Sequence, residues 1–279
     1  MEFKNIDILF VIVLYKCELN NSDTFITLAE SLKKHKCIFD LLVYDNSPEP
    51  PGQVPEFRNI NLTYLSDTKN SGVSKAYNTG AEVAAGMNKK WIILLDHDTM
   101  FPVDTIGEYL SAIEEYPGEK LFAPIVLIDD KKIISPAHFK FMRGFYSKSV
   151  SRGINSLVGY SIINSGMCIS MDAFNKNNGY NESIKLDFSD HDFIRRFKRS
   201  VGNKFVVINL KVRHKLSSAG KNSWESDMVR YDYYLEGAKH ISSSKKERFF
   251  LKSHAVLRAV KLSVIHHNFG FLTRLFKWI

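Results

Sequence analysis

Cysteine is scarce: only Cys17, Cys37 and Cys168 occur in 279 residues. An odd number, with neither a C-x-x-C pair nor a framework spacing, excludes a disulfide-stapled scaffold and favours a reducing compartment. No stretch approaches the roughly 18 apolar residues of a membrane-spanning helix. The apolar run at residues 8–15 is short, lacks a basic leader and has no small-residue cleavage site, so it reads as a core strand rather than a signal peptide. Neither G-x-x-x-x-G-K nor G-x-G-x-x-G is present, which removes the P-loop and the dinucleotide fingerprint. Internal repeats and low-complexity segments are missing too. Acid is nearly absent from one region: beyond Ile241, Glu247 alone faces eight basic side chains.

What is present is an ordinary globular composition, 44% hydrophobic and 24% charged, on a chain long enough to bury a real core. The basic tail (Lys245, Lys246, Arg248, Lys252, Arg258, Lys261, Arg274 and Lys277) holds +7 of the net +8. Asymmetry of this kind points to a polyanionic partner. Leu272, Leu275, Phe276 and Ile279 recur at helical spacing, with Arg274 and Lys277 off that stripe, and Val256, Val260 and Val264 form another. An anionic membrane face is therefore the expected partner, with helices packed on the protein body as the compatible alternative. The aromatics Phe249, Phe250, Phe269 and Phe271 also suit nucleic acid, but no recognition motif accompanies them and none is expected to bind. The expectation is a cytoplasmic protein, peripheral at the inner face of the cell membrane.

The first 130 or so residues alternate apolar runs with helical patterns. Residues 8–14 are continuously apolar, the mark of a strand covered on both faces. Ser22-Asp23 can cap a helix carrying Phe25, Leu28 and Leu32. Strands follow at 39–44, 61–65 and 91–95, with a proline-rich loop at 49–57 and a helix at 74–85. This order argues for an α/β fold, a mostly parallel sheet with helices on both faces. One domain over residues 1–240 with a basic amphipathic helical extension over 241–279 is expected. Ligands of such sheets bind at the carboxyl ends of the strands, where Tyr15, Asp45 and Asp96 all fall.

Three clusters carry the chemistry. Asp96-His97-Asp98 leaves a strand; in extended form its two carboxylates point the same way, suiting Mg²⁺ or Mn²⁺ bridged to phosphate oxygens. The alternative is a solvated acidic turn. The segment 70–80, with Asn70 and Gly72, opens a helix whose first N–H groups and dipole would attract an anion. Asp187, Asp190 and Asp192 gather where a helix begins, with Phe193 and Phe197 as its apolar pair. A carboxylate at such a start either complements the dipole or accepts a proton from a bound hydroxyl.

In this order the clusters resemble the family 2 glycosyltransferases, most closely their rhamnosyltransferase-like branch. The resemblance runs from about Ile8 to His214. It includes Tyr15, Tyr44-Asp45-Asn46-Ser47, the N-x-G-x-x-x-A-x-N-x-G stretch beginning at Asn70, and the D-x-D at Asp96. Asn164-Ser165-Gly166, Gly179-Tyr180-Asn181-Glu182 and the D-x-x-D-x-D-F-x-x-R pattern ending at Arg196 complete it. It implies a GT-A fold with nucleotide-binding and acceptor halves, and inverting, metal-assisted transfer from a nucleoside-diphosphate sugar, dTDP- or UDP-linked. Asp45 would contact the base, Asp96 the ribose or metal, and Asp98 and His214 the metal. Tyr15, Asn70, Gly72 and Arg196 would line the donor site, and Asp190 would be the catalytic base. The acceptor would be a lipid-diphosphate-linked saccharide in cell-surface polysaccharide or O-antigen synthesis. Two departures stand out: Ser189 replaces a usual Glu, and Glu236-Gly237 replaces a usual Arg-Asn pair. Two other readings compete, a degenerate non-enzymatic domain that binds a membrane or nucleic acid, and a haloacid-dehalogenase-like phosphatase suggested by residues 92–99.

Overall fold

The computed structural model describes residues 4–35, 37–51, 56–215 and 223–278. Residues 52–55 of the expected proline-rich loop, and Ile279 of the C-terminal stripe, lie outside the described residues. The chain opens with β1 (Lys4–Leu14), α1 (Asp23–His35), β2 (Cys37–Asp45), β3 (Ile60–Ser66), α2 (Val73–Gly86) and β4 (Trp91–Asp96). These strands lie parallel in the spatial order β3-β2-β1-β4. Strand β1 is apolar at successive positions because both its faces are covered. Ile8, Phe10, Ile12 and Leu14 enter one core layer, while Leu9, Val11 and Val13 enter the other. Helix α1 closes the first layer with Phe25, Leu28 and Leu32; helix α2 closes the second with Ala76, Tyr77, Ala81 and Ala84. Chain direction around the sheet reverses between β1 and β4, a switch point where open α/β sheets take their ligands.

The remaining strands make the sheet mixed. They are β5 (Thr99–Met100), β6 (Leu121–Ile128), β7 (Lys132–Lys140), β8 (Arg143–Ser147), β9 (Gly153–Ser156), β10 (Tyr160–Ser161), β11 (Met167–Ser170) and β12 (Lys204–His214). Helices α3 (Thr105–Glu115), α4 (Met171–Lys176) and α5 (Ser189–Ser200) connect them. Strand β11 runs antiparallel between β4 and β6, and β12 pairs parallel with β6. Parallel pairing thus belongs to the first half, and antiparallel pairing dominates the second.

The C-terminal region is a helical unit of α6 (Trp224–Ile241), α7 (Lys245–His266) and α8 (Gly270–Trp278). Met228, Tyr231, Leu235, Ala255, Ala259, Phe271 and Leu275 form its own apolar cluster. A boundary at residue 240 therefore cuts through a packed unit that begins at Trp224. A second cluster, including Met142, Ile184, Ala238, Ile241 and Leu251, docks this unit on the body. The expected stripe on α8 is divided: Leu275 is buried, Leu272 is half-buried and Phe276 is exposed. Among the described residues no helix is long and apolar enough to cross a membrane.

Candidate active site

The carboxyl ends of the parallel strands form one rim. Leu14 of β1 is in register with Asp45 of β2, Asp45 with Ser66 of β3, and Val13 with Asp96 of β4. Tyr15 follows β1 directly and is 41% exposed. Asp45 is fully buried and takes hydrogen bonds from the Ser47 amide, at 2.8 Å, and from the Tyr64 hydroxyl. Its neighbour Asn46 keeps a buried Oδ1 with no partner among the described residues. That orphan acceptor makes Asn46 a better candidate than Asp45 to meet an N–H of a ligand. Asp67 shapes the next loop, accepting from the Tyr44 hydroxyl at 3.1 Å and the Ser71 amide at 2.9 Å.

The D-x-D does not continue the strand. Strand β4 ends at Asp96, and His97-Asp98 form a turn before β5, so the alternation that would align the two carboxylates stops there. Asp96 accepts from the Tyr77 hydroxyl at 3.2 Å and the Ser165 hydroxyl at 2.5 Å, one on each oxygen. Asp98 turns instead to His214, whose Nδ1 lies 3.5 Å from Asp98 Oδ1 and 2.9 Å from Thr99 Oγ1. Antiparallel pairing of β5 with β12, His214 opposite Thr99, brings these distant residues together. Helix α1 braces the turn from behind: Ser22 caps it through the Phe25 amide and donates to the His97 carbonyl at 2.8 Å. Thr24 donates to the Thr99 carbonyl at 2.8 Å.

Burial pushes the Asp98 carboxyl up, His214 opposes this, and the Asp96 charge adds to the rise. A cation beside such a pair would relieve both penalties. Asp98 and His214 are the residues that would hold a divalent cation here, its charge balancing that of a bound phosphate. Among the described residues, no group of three or more His, Cys, Asp or Glu is gathered into a metal site. Asp96 takes one hydrogen bond on each oxygen, from Tyr77 and Ser165, and each oxygen keeps a further lone pair.

The helix start at Gly72 has a different occupant from the one expected. The Val73 amide, first in α2, donates to the carbonyl of Lys185 at 2.8 Å, and Ser74 Oγ donates to that of Ile184 at 2.5 Å. A Cβ on Gly72, whose φ is +95°, would stand 2.3 Å from the Lys185 oxygen. Gly72 thus admits a segment of its own chain, and that segment sits where a diphosphate was expected. Asn70, at φ +50°, makes the preceding turn, its amide donating to the Asp67 carbonyl at 3.0 Å.

Asp190 opens α5 with Phe188, in the left-handed region at φ +75°, just before the helix. Its Oδ1 accepts from the His191 amide at 2.6 Å, and 18% of its side chain is exposed. Burial raises its carboxyl above the usual range, His191 opposes the rise, and the charges of Asp96 and Asp187 add to it. Burial raises the phenols of Tyr77 and Tyr180, whose ring centroids lie 5.3 Å apart, and the charges of Asp96 and Asp190 add to the rise in both. Arg196 opposes the acids at Tyr180, and its Nη2 is buried with no partner among the described residues. It donates to Asp192 at 2.8 Å and to the carbonyls of Asn177 and Gly179 at 2.6 and 2.8 Å, so it staples the loop before Tyr180 to α5.

The Glycosyl transferase family 2 model matches residues 10–163, more than half of the chain. The chain belongs to glycosyl transferase family 2. No curated protein matches its sequence. Among solved structures, one similar to this family 2 chain is GalNAc-T7 with UDP, GalNAc and Mn²⁺ (TM-score 0.55, 12% identity, 88% of this chain and 54% of that one). Another is S. aureus TarS (TM-score 0.53, 16% identity, 93% of this chain and 43% of that one). TarS residues 1–349 in complex with UDP-GlcNAc give a TM-score of 0.53 at 13% identity, over 91% of this chain and 71% of that one. At these identities the likeness is one of fold, the GT-A α/β arrangement. The chain spans about half the length of GalNAc-T7 and of full TarS. Family membership displaces the phosphatase reading of residues 92–99. Sequence reasoning passed over Tyr77 and Ser165 as the clamps on Asp96, although both lie inside quoted motifs.

Proposed function

We propose that this family 2 chain is an inverting glycosyltransferase with Asp190 as its base. The observation that carries this is that Asp96 ends a parallel strand, the Asp98–His214 pair follows it, and the charge of Asp96 reaches Asp190 at the start of α5. A divalent cation, Mg²⁺ or Mn²⁺, held by Asp98 and His214 would neutralise charge on a departing nucleoside diphosphate. Asp190 takes the proton of an acceptor hydroxyl as that oxygen bonds to the anomeric carbon. The bond from that carbon to the diphosphate oxygen breaks on the opposite face, so the configuration inverts. Burial raises the Asp190 carboxyl, and a raised pKa makes the ionised form a stronger base. Asn46, with its orphan buried acceptor, and the exposed Tyr15, both at strand ends, are the residues proposed to meet the base and ribose of a dTDP- or UDP-sugar. That GalNAc-T7 and TarS were solved with UDP or a UDP-sugar supports such a donor.

The test is a thermal-shift screen of UDP, dTDP and GDP with and without Mn²⁺, since ligands of the native state raise its apparent stability. Asp98→Ala is expected to remove the metal-dependent shift. Asp190→Asn is expected to keep it and to stop transfer. Loss of nucleotide binding in both variants would reject the division of roles. A donor screen decides the branch: turnover of dTDP-rhamnose supports a rhamnosyltransferase, and turnover of UDP-hexoses alone rejects it.

We propose further that the helical unit seats the enzyme on an anionic membrane, where a lipid-diphosphate-linked saccharide for cell-surface polysaccharide would be met. Helix α7 packs inward through Leu251, Ala255 and Ala259, yet Phe249, Val256, Leu257, Val260 and Val264 form a second apolar stripe facing solvent. Leu257 and Val264 are each 66% exposed, and the exposed Lys245, Lys246 and Lys261 accompany them. Apolar surface with basic flanks matches the chemistry of an anionic lipid face.

A further inference from the structure

Beside Asp190, two guanidiniums face a single carboxylate, and a third acts on the ring that one of them covers. Arg230 of α6 and Arg258 of α7 face Oδ1 of Asp187 at 3.6 and 3.8 Å, both longer than a hydrogen bond. The other oxygen of Asp187 is buried with no partner among the described residues. Arg258 lies over the Tyr234 ring, 4.5 Å from its centroid, and Tyr234 packs on Phe188 at 5.1 Å. Arg143 of β8 acts on the same phenol, as do Arg258 and Asp187. Arg230 and Arg258 thus face Asp187 without hydrogen-bonding to it. Loose contacts leave the guanidinium forks able to turn to a better acceptor. Phosphate oxygens suit that fork, because several N–H groups can donate to them in parallel.

We propose that Arg143, Arg230 and Arg258 bind the phosphate or diphosphate of the acceptor, while Asp187 Oδ2 accepts a hydroxyl of its sugar. This rests on the glycosyltransferase reading. The donor carries the same diphosphate chemistry, but the cluster is built from β8, α6 and α7. None of these elements carries Asn46, Asp96 or Asp98, on which the donor site is proposed. Helix α7 supplies Arg258 to this cluster and Val260 and Val264 to the exposed stripe. One helix then reads both the anionic group and the lipid that tethers it.

The probe is inorganic pyrophosphate, titrated calorimetrically into the full chain with EDTA present. Wild type and Asp98→Ala are expected to bind it alike. The double variant Arg230→Gln/Arg258→Gln is expected to bind it at least about tenfold more weakly, the worth of one charge-assisted hydrogen bond. Should that variant not fold, Arg143→Gln, exposed on β8, is expected to weaken binding about threefold. Lys245→Gln/Lys246→Gln controls for bulk charge and is expected to change nothing. Full binding in the arginine variants, loss in the lysine control or in Asp98→Ala, or no binding by wild type overturns the proposal. A second titration uses UDP with Mn²⁺. If the arginine variants weaken it as much as pyrophosphate, the cluster serves the donor and the acceptor assignment fails. If wild type binds no UDP, the glycosyltransferase reading fails separately, whatever pyrophosphate does.

Discussion

At the scale of single residues, Asp190 shows stability and chemistry pulling apart. Its folded pKa lies above the roughly 3.9 of an unfolded Asp, because burial penalises the ionised form. Below the unfolded value the carboxyl is protonated in both states and costs nothing. As pH rises through the raised folded value, the native state is progressively penalised, and above it the cost is constant. Asp190→Asn keeps the Oδ1 that accepts from the His191 amide and removes the charge. Its Tm, measured in EDTA, should match wild type at acid pH and exceed it increasingly toward neutrality. Transfer should fall by about 10²–10⁴. In wild type the acid limb of kcat/KM should lie above the ordinary Asp range; a limb at or below it rejects Asp190 as the base. Gly72 makes an opposite case. Gly72→Ala adds positive-φ strain and a Cβ against the Lys185 backbone, which cannot rotate away. A loss of about 3 kcal/mol in urea unfolding is expected, and wild-type stability would contradict the close approach.

At the scale of elements, the segment after α4 is held by contacts that no local pattern reveals. Asn78 on α2 accepts from the Tyr180 amide at 2.7 Å and donates to the Tyr180 carbonyl at 3.0 Å and to Glu182 at 2.9 Å. Asn78→Ala removes all three and should cost about 2 kcal/mol. Because Tyr180 touches both Asp96 and Asp190 electrostatically, kcat is expected to drop with stability. An unchanged kcat in a destabilised chain would separate the clasp from the site. The same reasoning explains what could be read from sequence. Strands β1 and β4 were legible because burial on both faces gives them continuous apolar runs, β2 because Asp40 alone interrupts its apolar run before the terminal Asp45, and Ser22 was legible as a cap because capping is local. The contact of Lys185 with the Val73 amide was not legible, because Lys185 lies more than a hundred residues away. The partners of Arg196 are Asp192 on its own helix and two carbonyls of the loop before Tyr180, of which only the i−4 pair is a local pattern. Gly237, a departure from the family pattern, has a reason visible only in three dimensions: a Cβ there would stand 2.5 Å from the Asp187 carbonyl oxygen, so glycine lets α6 press on the segment leading to Asp190.

At the scale of the whole molecule, the uneven charge and the divided faces of α7 belong to one argument. Nearly all net positive charge lies beyond Ile241, in a unit whose inner face is part of the fold and whose outer face is apolar and exposed. Truncation after Ser244 is therefore a poor test of membrane binding, since it strips Ala255, Ala259, Phe271 and Leu275 from the cluster that buries Tyr231. Substitutions on the outer face avoid this. Leu257→Glu/Val264→Glu should leave Tm within about a degree of wild type, as exposed positions do. Its partition onto phosphatidylglycerol vesicles should fall at least about tenfold, through lost apolar burial and added repulsion. Wild-type binding should weaken with added salt yet not vanish, because screening removes the electrostatic share and leaves the apolar one. Vesicle binding that disappears completely in salt, and that the double variant retains at low salt, would make the basic charge sufficient and leave the exposed stripe without a role.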